Sequence, residues 1–285
     1  MDFTLLAYER LSLPIRYNRG CSRQPPIGLS TFMWRGDSLF LLENLVLRDF
    51  RIRYRNMSLG VLWSLLNPIV MMGVLTFVFT VLFPNPNKQF PVFLMCALVP
   101  LNFFSVAWIT GTTSIVDSAP LVKRVPLPRE IVPIAAVLSN CLHLLIQILL
   151  LLSLVLIFGN RVNRQWLWLP LLWGLEILFA CGLALITSTL NVYVRDTRYV
   201  VESINTVLFW MVPVFYPLEA VPHRFAEFYQ LNPIAAMVLC LRDILMKAEA
   251  PHLSTLGKLA SVSVCTFALG LLIFHKGKRR FYEFI

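Results

Sequence analysis

The chain has 285 residues, of which 58% are hydrophobic and 14% charged, with a mean hydropathy of +0.71. Soluble globular domains carry about a quarter charged residues, so this composition excludes an ordinary water-soluble enzyme and indicates a helical protein that crosses a membrane several times. The net charge of +10 fits either a nucleic-acid binder or a membrane protein whose cytoplasmic loops concentrate Lys and Arg, and only the placement of the charges separates the two.

Taken in chain order, residues 1–36 combine Pro25-Pro26 with scattered arginines and show no signal-peptide pattern. They are expected to be loosely ordered and cytoplasmic. Asp37 and Ser38 are N-cap residues for a helix over 37–55, with Leu42, Val46 and Phe50 on one side and Asn44, Arg48, Arg51 and Arg55 on another. Such an amphipathic, Arg-rich helix lies in the membrane interface with its arginines at anionic head groups, or caps the bundle as a solvated helix.

A spanning helix needs about 20 mostly apolar residues. Six segments qualify, at about 61–83, 90–112, 131–158, 166–190, 201–216 and 255–274. Between the fifth and sixth, a 13-residue apolar run from Ile234 to Met246 contains Arg242 and Asp243. It is too short to cross and reads as a re-entrant or interfacial helix started by Asn232-Pro233. With six spans, eighteen of the 25 Lys and Arg fall on the side of the termini and six on the other, with Lys258 just inside the last span. This excess places both termini in the cytoplasm. A seventh span would strand Lys276, Lys278, Arg279 and Arg280 on the wrong side. The charge therefore belongs to loops, and no nucleic-acid partner is expected.

Three polar groups fall deep in the spans: His143 and Gln147 on the third, Glu176 on the fourth. Helix rise puts His143 and Glu176 near the same depth, which predicts a buried pair, since an isolated ionised Glu there is costly. The alternative is a proton relay in a proton-coupled secondary transporter of a smaller glycolipid. The lack of repeats between halves and of further acidic residues in the spans speaks against it. None of the six cysteines lies within three residues of another, so neither a zinc site nor a redox pair is indicated. No Walker A pattern is present; Gly257-Lys258 and Gly277-Lys278 lack the preceding glycine that the phosphate cradle needs. Any ATP and Mg must be bound by a separate soluble subunit, and this chain needs no cofactor. Aromatic residues crowd the first, second and fifth spans, where their flat faces suit either packing and interface belts or stacking on sugar C–H surfaces.

Four stretches carry a family resemblance. Leu47-Arg48-Asp49-Phe50-Arg51-Ile52-Arg53-Tyr54-Arg55 leads into Ser58-Leu59-Gly60-Val61-Leu62-Trp63 and Asn67-Pro68. Ser118-Ala119-Pro120-Leu121-Val122-Lys123-Arg124-Val125-Pro126-Leu127-Pro128-Arg129-Glu130 lies between spans two and three. Asn191-Val192-Tyr193-Val194-Arg195-Asp196-Thr197-Arg198-Tyr199 precedes span five. Val212-Pro213-Val214-Phe215-Tyr216-Pro217 is followed by Leu231-Asn232-Pro233. In register with the expected topology, these resemble permease subunits of ABC-2 type exporters of lipid-linked O-antigen, capsule or teichoic acid polymers.

The resemblance implies an all-α integral membrane fold over 37–285, with an interfacial helix, six spans and re-entrant extracytoplasmic helices, in the bacterial cytoplasmic (inner) membrane. It implies a second permease copy, most simply as a homodimer, two soluble ATPase subunits, and a lipid-linked polysaccharide substrate among membrane lipids. It makes the loop after span two a coupling helix: Leu121 and Val122 would enter an apolar groove of the ATPase, with Lys123, Arg124, Arg129 and Glu130 around it and Pro126 stiffening the turn. Arg48, Arg53 and Tyr54 would meet the substrate's pyrophosphate, arginine's fork suiting phosphate, or simply anchor head groups. Arg195 and Asp196 would hold a cytoplasmic gate or form a solvated loop pair. Phe215 and Tyr216 would line the outer gate. Translocation breaks no covalent bond, so no catalytic residue is assigned. A scaffold for membrane-bound synthesis enzymes is the third reading.

Overall fold

The computed structural model describes residues 38–54, 63–82, 89–124, 127–216, 232–278 and 281. The loosely ordered segment expected over 1–36 lies outside the described residues. Among those described, ten α-helices form and no strand: α1 (Ser38–Tyr54), α2 (Trp63–Phe77), α3 (Phe90–Asp117), α4 (Ala119–Arg124), α5 (Ile131–Leu138), α6 (Cys141–Ile157), α7 (Leu169–Tyr193), α8 (Thr197–Met211), α9 (Pro233–Leu245) and α10 (Leu253–Gly277). A π-helical turn, Val78–Leu82, extends α2, and a 3₁₀ turn, Arg164–Trp168, leads into α7.

Four helical stretches are long and apolar enough to cross a membrane: α3 with 28 residues, α5–α6 over Ile131–Ile157 with 27, Arg164–Tyr193 with 30, and α10 with 25. At about 1.5 Å per residue, each exceeds roughly 30 Å of hydrocarbon. The first expected span is represented by a shorter apolar helix, Leu66–Leu82. The fifth is the 15-residue α8, which ends two residues before Pro213. Val212 takes extended backbone (ψ 139°) because a residue preceding proline is disfavoured in the helical region. The third is broken by a turn at Ser139-Asn140, where Ser139 Oγ and Asn140 Nδ2 donate to Ala136 O at 2.8 and 2.7 Å. Polar side chains that bond the backbone one turn back compete with a regular helix in this way. α9 starts at Asn232-Pro233 as expected, with Asn232 Oδ1 accepting from Ile234 N at 3.1 Å. It is buried along most of its length.

Lipid tails are as apolar as leucine, so the helices gain their association from close packing and interhelical hydrogen bonds. α7 is the centre of that packing. A Cβ on its Gly182 would lie 2.6 Å from Phe267 N of α10, and one on Gly270 would lie 2.5 Å from Gly182 O; two glycines therefore let the backbones of α7 and α10 touch. Between α3 and α7 the link is polar: Thr112 and Thr187 share a hydrogen bond of 2.7 Å, and Trp108 Nε1 donates to Thr187 Oγ1 at 3.3 Å. α3 is the most enclosed of the four long stretches, with Phe103, Phe104 and Ile115 fully buried.

Candidate functional site

Two regions at opposite ends of the bundle gather the residues singled out from sequence. At one end α1, the end of α3, α4 and the α5–α6 stretch surround a cavity of about 520 Å³. Hydroxyl side chains of Thr110, Thr113, Ser114, Ser118 and Ser139 line it, with Arg48, Asp49 and Asp117 as its ionisable groups. Arg48 Nε and Nη2 both donate to Asp49 Oδ1, at 2.9 and 2.7 Å, and Nη2 also reaches Ser118 Oγ at 3.2 Å. The fork that the resemblance would turn to a phosphate is thus paired within α1. Its neighbour's carboxylate occupies the fork, and the lining carries one more negative charge than positive. The side chains of Arg53 and Tyr54 lie outside the described residues.

The expected coupling residues divide. Pro120 and Lys123 are exposed on α4, and Leu121 is half-buried against the cavity. Val122, at 3% exposure, is packed with Ile115, Leu127, Val132, Leu185, Val192, Phe274 and Phe281. It cannot enter a partner's groove, because a six-residue helix lying on the bundle must turn one apolar side inward. The side chain of Arg124, and Pro126 altogether, lie outside the described residues. Arg129 and Glu130 face the chain's own last helix: Arg129 Nη1 donates to Lys278 O at 2.5 Å, and Lys278 Nζ donates to Glu130 Oε1 at 2.5 Å. Neither is placed as a free docking group.

Arg195 and Asp196 are exposed in the tight turn between α7 and α8. The ion pair next to them is Arg198 to Glu202 at 2.8 Å, whose hydrogen bond raises the Arg198 pKa above its ordinary value. The His143–Glu176 pair is not formed. His143 Nε2 lies 2.9 Å from Gln147 Nε2 on its own helix, and both carboxylate oxygens of Glu176 are buried without a hydrogen bond. Equal depth does not make two helix faces meet.

At the opposite end Phe215 joins an aromatic cluster. Its ring stacks on Phe79 at 5.4 Å and meets Phe209 edge-on at 5.7 Å and Trp210 at 6.0 Å. Phe79 continues to Phe90, and Phe90 to Phe93. Tyr216 is half-buried beside it. The segment that carries Phe215 is fixed by a residue that sequence reasoning placed in the re-entrant or interfacial helix and gave no role beyond its charge. Arg242 on α9, 5% exposed, donates Nη2 to Phe93 O at 3.3 Å and to Val214 O at 3.1 Å, and its guanidinium carbon sits 3.4 Å from the Phe93 ring centroid. An arginine inside an apolar run was the signal for it. Among the described residues no three His, Cys, Asp or Glu side chains gather to hold a metal.

A family model described as ABC-2 type transporter matches residues 41–246, from α1 to just past α9. The O-antigen export system permease protein RfbA of Klebsiella pneumoniae is 28% identical over 250 residues, covering 87% of this chain and 95% of that protein. RfbA of Myxococcus xanthus, of the same description, is 29% identical over 256 residues, with 89% and 97% covered. The polysialic acid transport protein KpsM of Escherichia coli is 26% identical over 238 residues, with 82% and 92% covered.

Proposed function

The chain belongs to the ABC-2 type transporter family, and from that premise we propose that it is the membrane-spanning permease of an ATP-driven exporter, moving a lipid-linked polysaccharide outward across the bacterial cytoplasmic membrane. The observation that carries this reading is the near full-length likeness to proteins named for O-antigen export and polysialic acid transport. Six spans with both termini in the cytoplasm fit the charge distribution. In that orientation the end with α4 is cytoplasmic and the end with Phe215 and Arg242 is the outer one.

The ATPase subunits dock on α4 through Pro120, Leu121, Lys123 and Arg124. Two copies of the permease enclose the conduit, in keeping with the exposed hydroxyl and apolar side chains Ser203, Thr206, Val207 and Trp210 on α8. The cavity of about 520 Å³ has the size of a small-molecule site, and hydroxyls with surplus carboxylate suit sugar hydroxyls better than a pyrophosphate. Among the described residues of α1, Arg51 is exposed and open to lipid phosphates.

The test uses membrane vesicles carrying this permease and its ATPase, loaded with lipid-linked polymer on the cytoplasmic face. ATP should deliver polymer to the other face, and an ATPase subunit unable to hydrolyse should abolish delivery. Delivery that continues without ATP and collapses with a protonophore would refute the proposal in favour of the proton-coupled carrier.

A further inference from the structure

The last helix ends in a set of contacts that reach far back in the chain. Lys278 is held twice by the loop after α4, through its carbonyl by Arg129 and through its ammonium by Glu130, both at 2.5 Å. One residue earlier, Gly277 O accepts from Tyr193 Oη at the end of α7, at 2.7 Å. A Cβ on Gly277 would lie 2.5 Å from Thr189 Cγ2, so only glycine seats this turn against α7. Phe281 is fully buried, edge-on to Phe274 at 5.4 Å and near Tyr193 at 6.1 Å. Val122 of α4 packs in the same apolar cluster. The basic tail, which the sequence presents as a topology signal, is thus clasped to the loop that α4 enters.

The geometry points to Lys278, Glu130 and Arg129 as a latch that carries displacement of α4 into α10; Lys278 is a positioning residue for coupling ATP hydrolysis to export. This rests on the transporter reading above. α4 is six residues long, and its one buried side chain, Val122, reaches the apolar cluster with Phe274 and Phe281 without a polar tie that would transmit a pull. A push on α4 that travelled only along the chain would arrive at α5. Through the latch it also arrives at α10, whose backbone touches α7 at Gly182 and Gly270. At its far part α10 packs on α9, and α9 holds Val214 and the Phe215 segment through Arg242. A charge pair closes the latch, with exposures of 30% for Lys278 and 23% for Glu130, so it opens without exposing an apolar core. A coupling route is established only by measured coupling, which a charge swap provides.

The experiment uses the full permease–ATPase complex in vesicles and reads three quantities: complex yield, ATP hydrolysis, and polymer exported per ATP. K278M and E130Q should keep yield and hydrolysis and lower export per ATP about three- to tenfold, the size of a contact-pair interaction. The swap E130K/K278E should bring export per ATP back to within about twofold of wild type, the residue left by imperfect additivity. K123M, on the exposed side of α4, should lower yield instead. Single variants that export per ATP like wild type would overturn the latch. So would a swap that loses as much as the two singles combined, or a fall in yield that accounts for all the lost export and leaves only a structural role. Wild-type export that ignores ATP would instead sink the transporter reading, before any variant is compared, and the latch with it.

Discussion

Replacing Arg242 with methionine keeps most of the side chain's volume and removes its cation and donors. Two carbonyls, Phe93 O and Val214 O, then lose the guanidinium that bonds them at 3.3 and 3.1 Å. Hydrogen bonds from a charged donor contribute about 1.5–3 kcal/mol each, and Phe93 O, inside α3, keeps its helical partner. The stacked contact with Phe93, 3.4 Å to the ring centroid, adds about 2 kcal/mol where water is excluded. Against these stands the dehydration of the guanidinium, several kcal/mol, which methionine no longer incurs. The opposing terms leave a net loss of about 2–4 kcal/mol, or a melting temperature about 5–10 °C lower for a chain of this size.

R242K separates charge from shape. Lysine's compact ammonium cannot lie flat on Phe93 and bond both carbonyls at once, so it should fall between wild type and R242M. Thermal melting of the purified permease, followed by circular dichroism, measures the loss. An R242M protein that melts within about 1 °C of wild type would refute the clamp, since a shift that small is well under 1 kcal/mol.

Further expectations follow from the same contacts. G182A sets a Cβ 2.6 Å from Phe267 N and should force α7 and α10 apart, lowering the amount of folded permease in membranes; G174A, with nothing within 4 Å, should be neutral by the same immunoblot. V122D buries a carboxylate among Ile115, Val132 and Phe274 and should release α4, seen as loss of ATPase copurification, whereas V122I should be tolerated. E176Q preserves shape and removes the ionisable group, so ATP-driven export should be unchanged; a loss of transport that tracks a protonophore's effect on wild type would revive the proton relay. N232A removes the acceptor for Ile234 N at 3.1 Å and should cost about 1 kcal/mol, read as a small fall in melting temperature.

The helices were legible in the sequence because their signals are local. Apolar length marked α3, α7 and α10, and the Asn232-Pro233 cap marked the start of α9. Proline placement was legible too but was under-used: Pro213 ends α8 at Met211, although the apolar run continues. The site was legible in part, and its losses have one cause. Counting along a helix gives depth but not direction, so His143 and Glu176 share a level and face different neighbours. A six-residue α4 has too little period to show which of Leu121 and Val122 turns inward. The Glu130–Lys278 pair joins residues 148 apart in sequence, and nothing local announces it. Arg242 is the exception: a lone cation in an apolar run is a strong signal, and counting it only toward the outer-side charge left it unused.

The hydrogen bonds between the long helices are unevenly placed, and that decides which helix can move. Midway along the bundle α3 and α7 are tied by Trp108, Thr112 and Thr187, and Asn140 ties the α5–α6 turn to Thr110 of α3 at 3.0 Å. Sliding any of these past another would break bonds in a medium that offers no water to replace them. α7 and α10 meet differently. From Leu259 to Lys276 no side chain of α10 hydrogen-bonds another helix among the described residues, and Ser263 Oγ is buried without a partner. Their contact is glycine on backbone, held by close packing rather than by side-chain hydrogen bonds. Polar ties to α10 reappear at its end, at Gly277 and Lys278. On the latch proposed above, a force applied at Lys278 would meet no side-chain hydrogen bond from Leu259 to Lys276 of α10, which makes α10, rather than the α3–α7 block, the helix expected to shift.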